Sequence, residues 1–519
     1  MTAIRRGVTR RDFLKAAVAT GAVAATAGSL SGCQQQAAYS PLPGKWDKEA
    51  DVVIVGAGGT GLAAAIEAMD AGAKVILLDK AAKAGGTTSL SGGVIQASGT
   101  SFQKAAGVEN DNPENHFKYW MQASEGIADP NLVKVMADNA QANIEWLVAH
   151  GVNYVSVYGV DPIPYITDPA LMVARIHVPA GQGDTAKPGT GAVHVAALLD
   201  VVQKKGAELL FETPAAALIR DPEKGVVGVR AQSGGKDLFV KARRAVILAT
   251  GSFDHNKEMA RAFSPQQLWA LDTGVCLCAP ESTGDGIKMG MEIGADLAGM
   301  GGTIGYIGTS VGVSPDMPGI WVNKYGQRFC NEAGHYAFVM RAVFDQEEHI
   351  AWAIFDENVK KLGGKAIGGL FGAMSDDLSK EIAEGKVKTG ATIQELATAL
   401  GVNGEMLEAT VAMWNRDAGA GKDTLFNKKK ELLKPLAQGP FYGIRVTEAN
   451  LGSIGGLKIN AQAQVVDVFG QVIPRLYAGG MVAGGFIGPY YPGSGTAVNS
   501  TVCFGRIAGK NAASEKAWA

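Results

Sequence analysis

Residues 50–80 read ADVVIVGAGGTGLAAAIEAMDAGAKVILLDK, and this stretch limits the fold more than any other. An apolar run from Val52 to Val55 has the length and branching of a buried strand. It leads into Gly56-x-Gly58-x-x-Gly61, then an alanine-rich helix, then a second apolar strand ending at Asp79. Glycines at this spacing let the backbone approach a pyrophosphate at a helix N-terminus, where free N–H groups and the helix dipole favour anions. Asp79 stands where a carboxylate accepts hydrogen bonds from a ribose. The unit predicts an α/β architecture whose first domain binds a dinucleotide.

A second loop, AGGTTSLSGG at residues 84–93, follows directly. A Gly/Ser/Thr-rich loop immediately after the ribose acid suits FAD better than NAD, because it can wrap the flavin side. Further on, RAVILATGSF (244–253) reads as another buried strand ending in Gly251. STGDGIKMGMEIGADL (282–297) reads as a glycine turn entering a helix, and GQVIPRLYAGG (470–480) as a late strand and turn. DPNLVKVMADNAQANIEWLVAHG is a helix with Asp129 as N-cap, Pro130 in its first turn and Gly151 as its stop. Leu132, Val135, Met136, Ile144 and Leu147 form its core face. Between residues 301 and 440 the pattern changes to short mixed segments, including a capping box at Thr392-x-x-Glu395. This predicts a second domain inserted in the first, with a substrate cleft between them.

Formal net charge is −2, so no basic excess points to nucleic acid, and none of the seven histidines has a metal-ligand spacing. The N-terminus reads as an address. TRRDFLK (9–15) is a twin-arginine signal, a small-residue apolar run follows, and LSGC resembles a lipoprotein box with Cys33 as the lipidated residue. The expected segmentation is signal 1–33, tether 34–46, FAD-binding domain 47–300 and 441–519, and capping domain 301–440. That organisation implies a membrane-anchored lipoprotein outside the cytoplasm. Such a chain exchanges electrons with an external redox partner or quinone. Cys276, Cys278, Cys330 and Cys503 read as mostly packed thiols.

GAGGTGLAAA, AGGTTSLSGG, TGDGIKM, VNKYGQRFCNE, GGLKIN, PRLYAGG and CFGRIAGKNAA together resemble the flavoprotein superfamily of fumarate reductases and 3-oxosteroid dehydrogenases. The resemblance covers nearly all of residues 47–519. It implies a Rossmann-type FAD domain with an inserted α+β substrate-capping domain, noncovalent FAD, and hydride exchange between flavin N5 and an activated carbon–carbon bond. It assigns FAD to Gly56, Ala57, Gly58, Gly59, Thr60 and Gly61 in the first turn. Asp79, Lys80, Gly85, Gly86, Thr87, Thr88, Gly92 and Gly93 belong to the second loop. Ala215, Thr250, Gly251 and Asp285 follow in the middle of the chain, and Gly480, Gly495, Thr496, Ala497 and Val498 near its end. Family members often carry a glutamate at the position of Gly480, which leaves one ribityl contact open.

The substrate-binding positions separate the subfamilies. Fumarate reductases clamp two carboxylates with arginines and histidines. Here the proton-donating arginine four residues after Glu332 is replaced by Tyr336, a histidine by Gly452, and the late arginine falls at Tyr491 or Pro492. The segment GPYYPGSGTAVNS (488–500) instead resembles the 3-oxosteroid dehydrogenases. That likeness implies Tyr491 and the N–H of Gly495 as polarisers of a ketone, and Tyr336 as the group exchanging the proton. Tyr119 falls where steroid 1-dehydrogenases carry a further tyrosine. Arg341 is the rival proton donor in an alternative reading, the reduction of a small α,β-unsaturated acid. A flavin-binding lipoprotein without enzymatic activity is the other alternative. His335 reads as a helper or surface residue, Tyr490 as pointing opposite to Tyr491, and Trp321, Phe338 and Phe486 as core.

Overall fold

The computed structural model describes residues 42–159, 162–164, 166–181, 186–308, 314, 316–363, 367 and 374–518. The twin-arginine signal, Cys33 and most of the tether lie outside them. Strand Lys48–Val55, helix Gly59–Asp70 and strand Val75–Leu78 form the opening unit in the predicted order. Val52 to Val55 pair in parallel with Val75 to Leu78 on one side, and with Ala245 to Leu248 on the other. Val52, Val53 and Ile54 are fully buried, as a strand covered on both faces requires. Each such side chain contributes about 1.5–3 kcal/mol through burial.

The eight-stranded sheet runs Gln464–Val466, Val472–Ala478, Lys236–Leu248, Lys48–Val55, Val75–Leu78, Glu208–Leu210, and strands Ala215–Asp221 and Gly225–Ser233 complete it. The parallel strands end together at Val55, Leu78, Leu248 and Ala478, and ligands of open parallel sheets bind outside such carboxyl ends. Helix Thr496–Ser514 packs against Gly59–Asp70 at very close range. A Cβ on Gly505 would lie 2.7 Å from the Thr60 carbonyl oxygen, and one on Gly509 would lie 2.2 Å from that of Ala64. The small residues of CFGRIAGKNAA therefore allow backbone-to-backbone contact between the two helices.

A seven-stranded sheet is built around the long strand Phe441–Lys458. Its first part pairs antiparallel with Ala351–Asp356, and its second part with Leu297–Gly308. The second ladder is irregular, with register shifts between Ala298 and Gly302 and between Thr303 and Gly305. Residues from Trp269 to Val446 build two hydrophobic clusters of their own, one including Trp321 and the other Trp414. Ile95–Gln96, Ile176–Pro179 and Tyr154–Tyr158 form a three-stranded sheet.

Helix Pro130–Ala149 starts as predicted, with the Asp129 carboxylate accepting the N–H of Asn131 at 2.8 Å. Its buried face adds Val133, Ala137, Ala140 and Asn143, while Val135 is only half-buried. The box at Thr392 is half formed. Thr392 Oγ1 accepts the Glu395 N–H at 3.1 Å, but Glu395 accepts the N–H of Ala391 at 2.8 Å and not that of Thr392.

Candidate active site

A cavity of about 1110 Å³ opens at the carboxyl ends of the parallel strands. Its first end is the Gly56–Gly61 turn. Gly56 has φ +108°, and a Cβ there would sit 2.3 Å from the Ala249 carbonyl oxygen, so only glycine lets the two strand ends meet. Helix Gly59–Asp70 has no capping side chain at Gly58; the Gly59 N–H donates to Thr88 Oγ1 at 3.2 Å, and the helix N-terminus after it remains a site that favours an anion. Asp79 accepts N–H groups from Ala57 at 2.6 Å and Ala81 at 2.8 Å while facing the cavity. Burial raises its pKa, and those two N–H bonds oppose the rise.

Gly56, Gly58, Gly59, Thr60, Asp79, Lys80, Gly86, Thr87, Thr88, Gly92 and Gly93 all line this end. Ala215, Thr250, Gly251 and Asp285 stand on the same wall, as do Gly495, Ala497 and Val498. Five expected contacts are not on the wall. The Ala57 N–H is turned to Asp79, and Gly61 faces inward, where a Cβ would meet the Gly56 oxygen at 1.8 Å. Gly85 packs on Ser89, and a Cβ on Gly480 would strike Thr60 Oγ1 at 2.1 Å. Thr496 is buried, donating to the Gly493 carbonyl and accepting from Trp120 Nε1. Thr250 Oγ1 is buried and has no partner within the described residues. An orphaned hydroxyl on the wall, beside a cradle of glycines at a helix N-terminus, fits a bound dinucleotide.

The other end is lined by phenols. Tyr336 begins helix Tyr336–Phe344, and its hydroxyl lies 3.0 Å from Ser494 Oγ. Its ring is 4.9 Å from that of Tyr306 and 6.4 Å from that of Tyr491. Burial, then the neighbouring Tyr491, push the Tyr336 pKa well above the ordinary phenol range, while the Ser494 bond opposes them. The turn before Tyr336 is pinned by a buried ion cluster. Arg328 bridges Glu332 and Asp423, and Glu332 accepts the Trp321 N–H at 2.9 Å. RF-x-NE thus holds the tyrosine in place without touching the cavity.

Tyr491 oxygen accepts the Ala497 N–H at 2.9 Å and also faces the N–H groups of Gly495 and Thr496. With its oxygen occupied as an acceptor, its proton is left for another partner. Burial raises its pKa and those N–H groups oppose the rise. The loop carrying it is fixed through the Pro492 carbonyl, which accepts from Tyr119 Oη and, at 3.3 Å, from Gln96 Nε2. Gly495, with φ +95°, lies so close to Gln96 that a Cβ would be 2.5 Å from its backbone nitrogen. Tyr119 therefore positions the loop and is not on the cavity wall.

His335 is buried, stacked on Tyr336 at 4.3 Å, and caps Ala337 N–H through Nδ1. Burial lowers its pKa to about 3, so it is a neutral packing partner and not a surface residue. Arg341 is turned away from the cavity, its side chain 39% exposed and paired with Asp345 at 3.1 Å. Tyr490 stacks on Phe338 at 4.7 Å, Phe486 packs on Phe504, and Trp321 is core. Among the described residues Lys80 is the lone cationic side chain on the wall, and it is bound to Asp285 at 2.7 Å and Thr283 at 2.6 Å.

Ser494, Tyr306 and Tyr158 also line the cavity and were not anticipated. Ser494 belongs to the segment GPYYPGSGTAVNS that pointed to Tyr491, while Tyr306 and Tyr158 carried no signal. Cys276 and Cys278 line the cavity too; Cys278 is buried as a packed thiol is, whereas Cys276 is only half-buried. Cys503 is buried in the core.

The family described as FAD binding domain matches residues 51–498. The chain belongs to that family. It is 32% identical over 92% of its length to fumarate reductase (cytochrome) from Shewanella frigidimarina, covering 79% of that protein. It is 30% identical over 99% of its length to digoxin reductase from Eggerthella lenta, covering 98% of that protein. Among solved structures it resembles the 3-ketosteroid-delta4-(5alpha)-dehydrogenase of Rhodococcus jostii RHA1 in complex with 4-androstene-3,17-dione. That match has TM-score 0.77 and 30% identity over 91% of this chain and 98% of the other. The chain is thus an FAD-dependent oxidoreductase acting on carbon–carbon bonds, in a family divided between steroid dehydrogenases and unsaturated-acid reductases.

Proposed function

We propose that this oxidoreductase acts on the carbon–carbon bond next to a ketone, in a 3-oxosteroid-like enone. The observation that carries the reading is the wall around Tyr336, Tyr491 and Ser494. Among the described residues it offers hydroxyls and backbone, and no guanidinium or imidazole to pair with a carboxylate. A dicarboxylate would be desolvated there without a counter-charge, a cost a neutral carbonyl compound avoids. FAD, when bound, supplies or takes up the hydride.

The chain's own residues handle the oxygen and the proton. Tyr491 donates its O–H to the ketone, where charge collects in the transition state, and one fixed donor of this kind is worth about 3 kcal/mol. The resemblance gives the Gly495 N–H to the ketone itself; here it faces the Tyr491 oxygen, as the Ala497 N–H does, so both act through Tyr491 by polarising its O–H bond. Tyr336 gives its proton to carbon and is replenished through Ser494, 3.0 Å away. A phenol whose pKa lies above its usual value is fully protonated at neutral pH. That protonation favours enone reduction over desaturation.

The export reading joins this proposal. A lipoprotein facing outside the cytoplasm has no soluble NAD(P)H, so electrons pass through an external redox partner or quinone. Reducing the bound flavin with dithionite, then adding a 4-ene-3-ketosteroid, fumarate or a cinnamate-type acid separately, tests the substrate class. Reoxidation by the ketone alone is expected. Reoxidation by the acids alone overturns the ketone reading, and efficient turnover with NADPH and no mediator overturns the external partner.

A further inference from the structure

Cys276 and Cys278 lie on the cavity wall between its two ends. On one flank, strand Val275–Cys276 pairs with Ala449 and Asn450, and Asn450 Nδ2 donates to Cys276 Sγ at 3.7 Å. The next residues along that strand, Leu451 and Gly452, reach the cavity beside Ile304. On the other flank, the Ala279 N–H donates at 3.0 Å to Thr87 Oγ1, in the second glycine loop. The two thiols stand two residues apart on this wall, and each perturbs the proton affinity of the other, as Asp254 does that of Cys278. Asp254 is fixed by the Ser453 N–H and O–H at 2.6 and 2.7 Å.

We propose that Cys276 and Cys278 form a dithiol–disulfide couple that exchanges two electrons with the FAD. In one direction the two S–H groups lose two electrons and two protons, an S–S bond forms, and oxidised FAD becomes FADH2. In the other, FADH2 returns to FAD as the disulfide opens to two thiols. The two cysteines divide the work by position. Cys276 is half-buried, and the neighbouring Cys278 thiol lowers its pKa, so it is the thiolate that meets outside thiols. Cys278 is buried, its pKa raised by the neighbouring Cys276 thiol and by burial, and it closes the disulfide. Asp254 receives its proton, since burial raises that carboxyl's affinity for protons. An external dithiol recharges the couple by exchange at Cys276. The inference rests on the flavin and not on the ketone reading, and its test contains no substrate.

The FAD-loaded protein is oxidised with diamide, desalted and titrated anaerobically with dithionite. Wild type should consume about two electron equivalents more than Cys276→Ser, which should retain its flavin spectrum. The tryptic peptide carrying both cysteines should be lighter by two hydrogens before titration. A single dithionite addition should give transient flavin bleaching, followed by recovery as free thiols appear. Equal electron uptake in the two proteins overturns the proposal. So does a disulfide that stays intact while the flavin remains reduced.

Discussion

Replacing Tyr336 by phenylalanine removes one oxygen and leaves the ring against His335 and Tyr306. The structural loss is the 3.0 Å bond to Ser494, worth about 1 kcal/mol, so folding and FAD content should be close to wild type. The catalytic loss should be far larger. A positioned acid is worth roughly 10²–10⁴-fold, or about 3–5 kcal/mol of barrier. Stopped-flow reoxidation of the reduced flavin by a 4-ene-3-ketosteroid isolates this step. The pH profile adds a second readout. Because burial and Tyr491 hold the Tyr336 pKa up, the rate should remain flat past the ordinary phenol value of about 10 and fall only above it. Ser494→Ala removes the bond that opposes the rise, so it should move that limb further up. A near-normal rate in Tyr336→Phe, beside an inactive Arg341→Lys, would refute the reasoning and hand the site to an acid substrate.

Tyr491→Phe should slow turnover by about 10²-fold, measured with the same enone, and should destabilise the last helix by about 1 kcal/mol as Ala497 N–H loses its cap. Gly56→Ala should yield protein without FAD, read from the absorbance of the purified chain, because the Cβ would be driven to 2.3 Å from the Ala249 oxygen. Glu448 is buried with Oε1 unpartnered, and burial raises its pKa well above the usual carboxylate value. A raised folded pKa contributes stability that is complete below about pH 4.3 and lost as pH rises through the folded value. Melting curves of Glu448→Gln should therefore match wild type near pH 4 and lie above it at pH 8.

The nucleotide end was legible because its constraints are local. Strand, glycine turn, helix and acid sit within 31 consecutive residues, although the Ala249 carbonyl that demands glycine at position 56 comes from a distant strand. The phenol end was legible in part. Tyr336 and Tyr491 stand at recognisable motif positions, but their neighbours come from distant segments. Ser494 is 158 residues from Tyr336, and no spacing announces that pair. The same holds for Tyr119, which shares a part of the chain with a family tyrosine yet is 373 residues from the carbonyl it holds. Cys276 and Cys278 looked inert because a cysteine pair at this spacing reads as packing until the cavity is seen beside it. Arg341 looked like a rival by distance along the chain. The helix turns it away from Tyr336, and Asp345 takes it.

The long strand Phe441–Lys458 belongs to two ladders at once, with Ala351–Asp356 and with Leu297–Gly308. A continuous ladder does not slide, since sliding by one residue would turn every side chain to the other face. Where this strand borders the cavity, at Leu451 and Gly452, the wall can therefore move only as the strand flexes along its length. The place for that is marked. Gly452 and Gly455, at φ +151° and +107°, lie opposite the two register shifts of the partner strand, where the pairing is already interrupted. Gly452 is itself on the cavity wall, so the strand would act as a leaf spring whose bend both admits the substrate and shifts the wall beside Cys276.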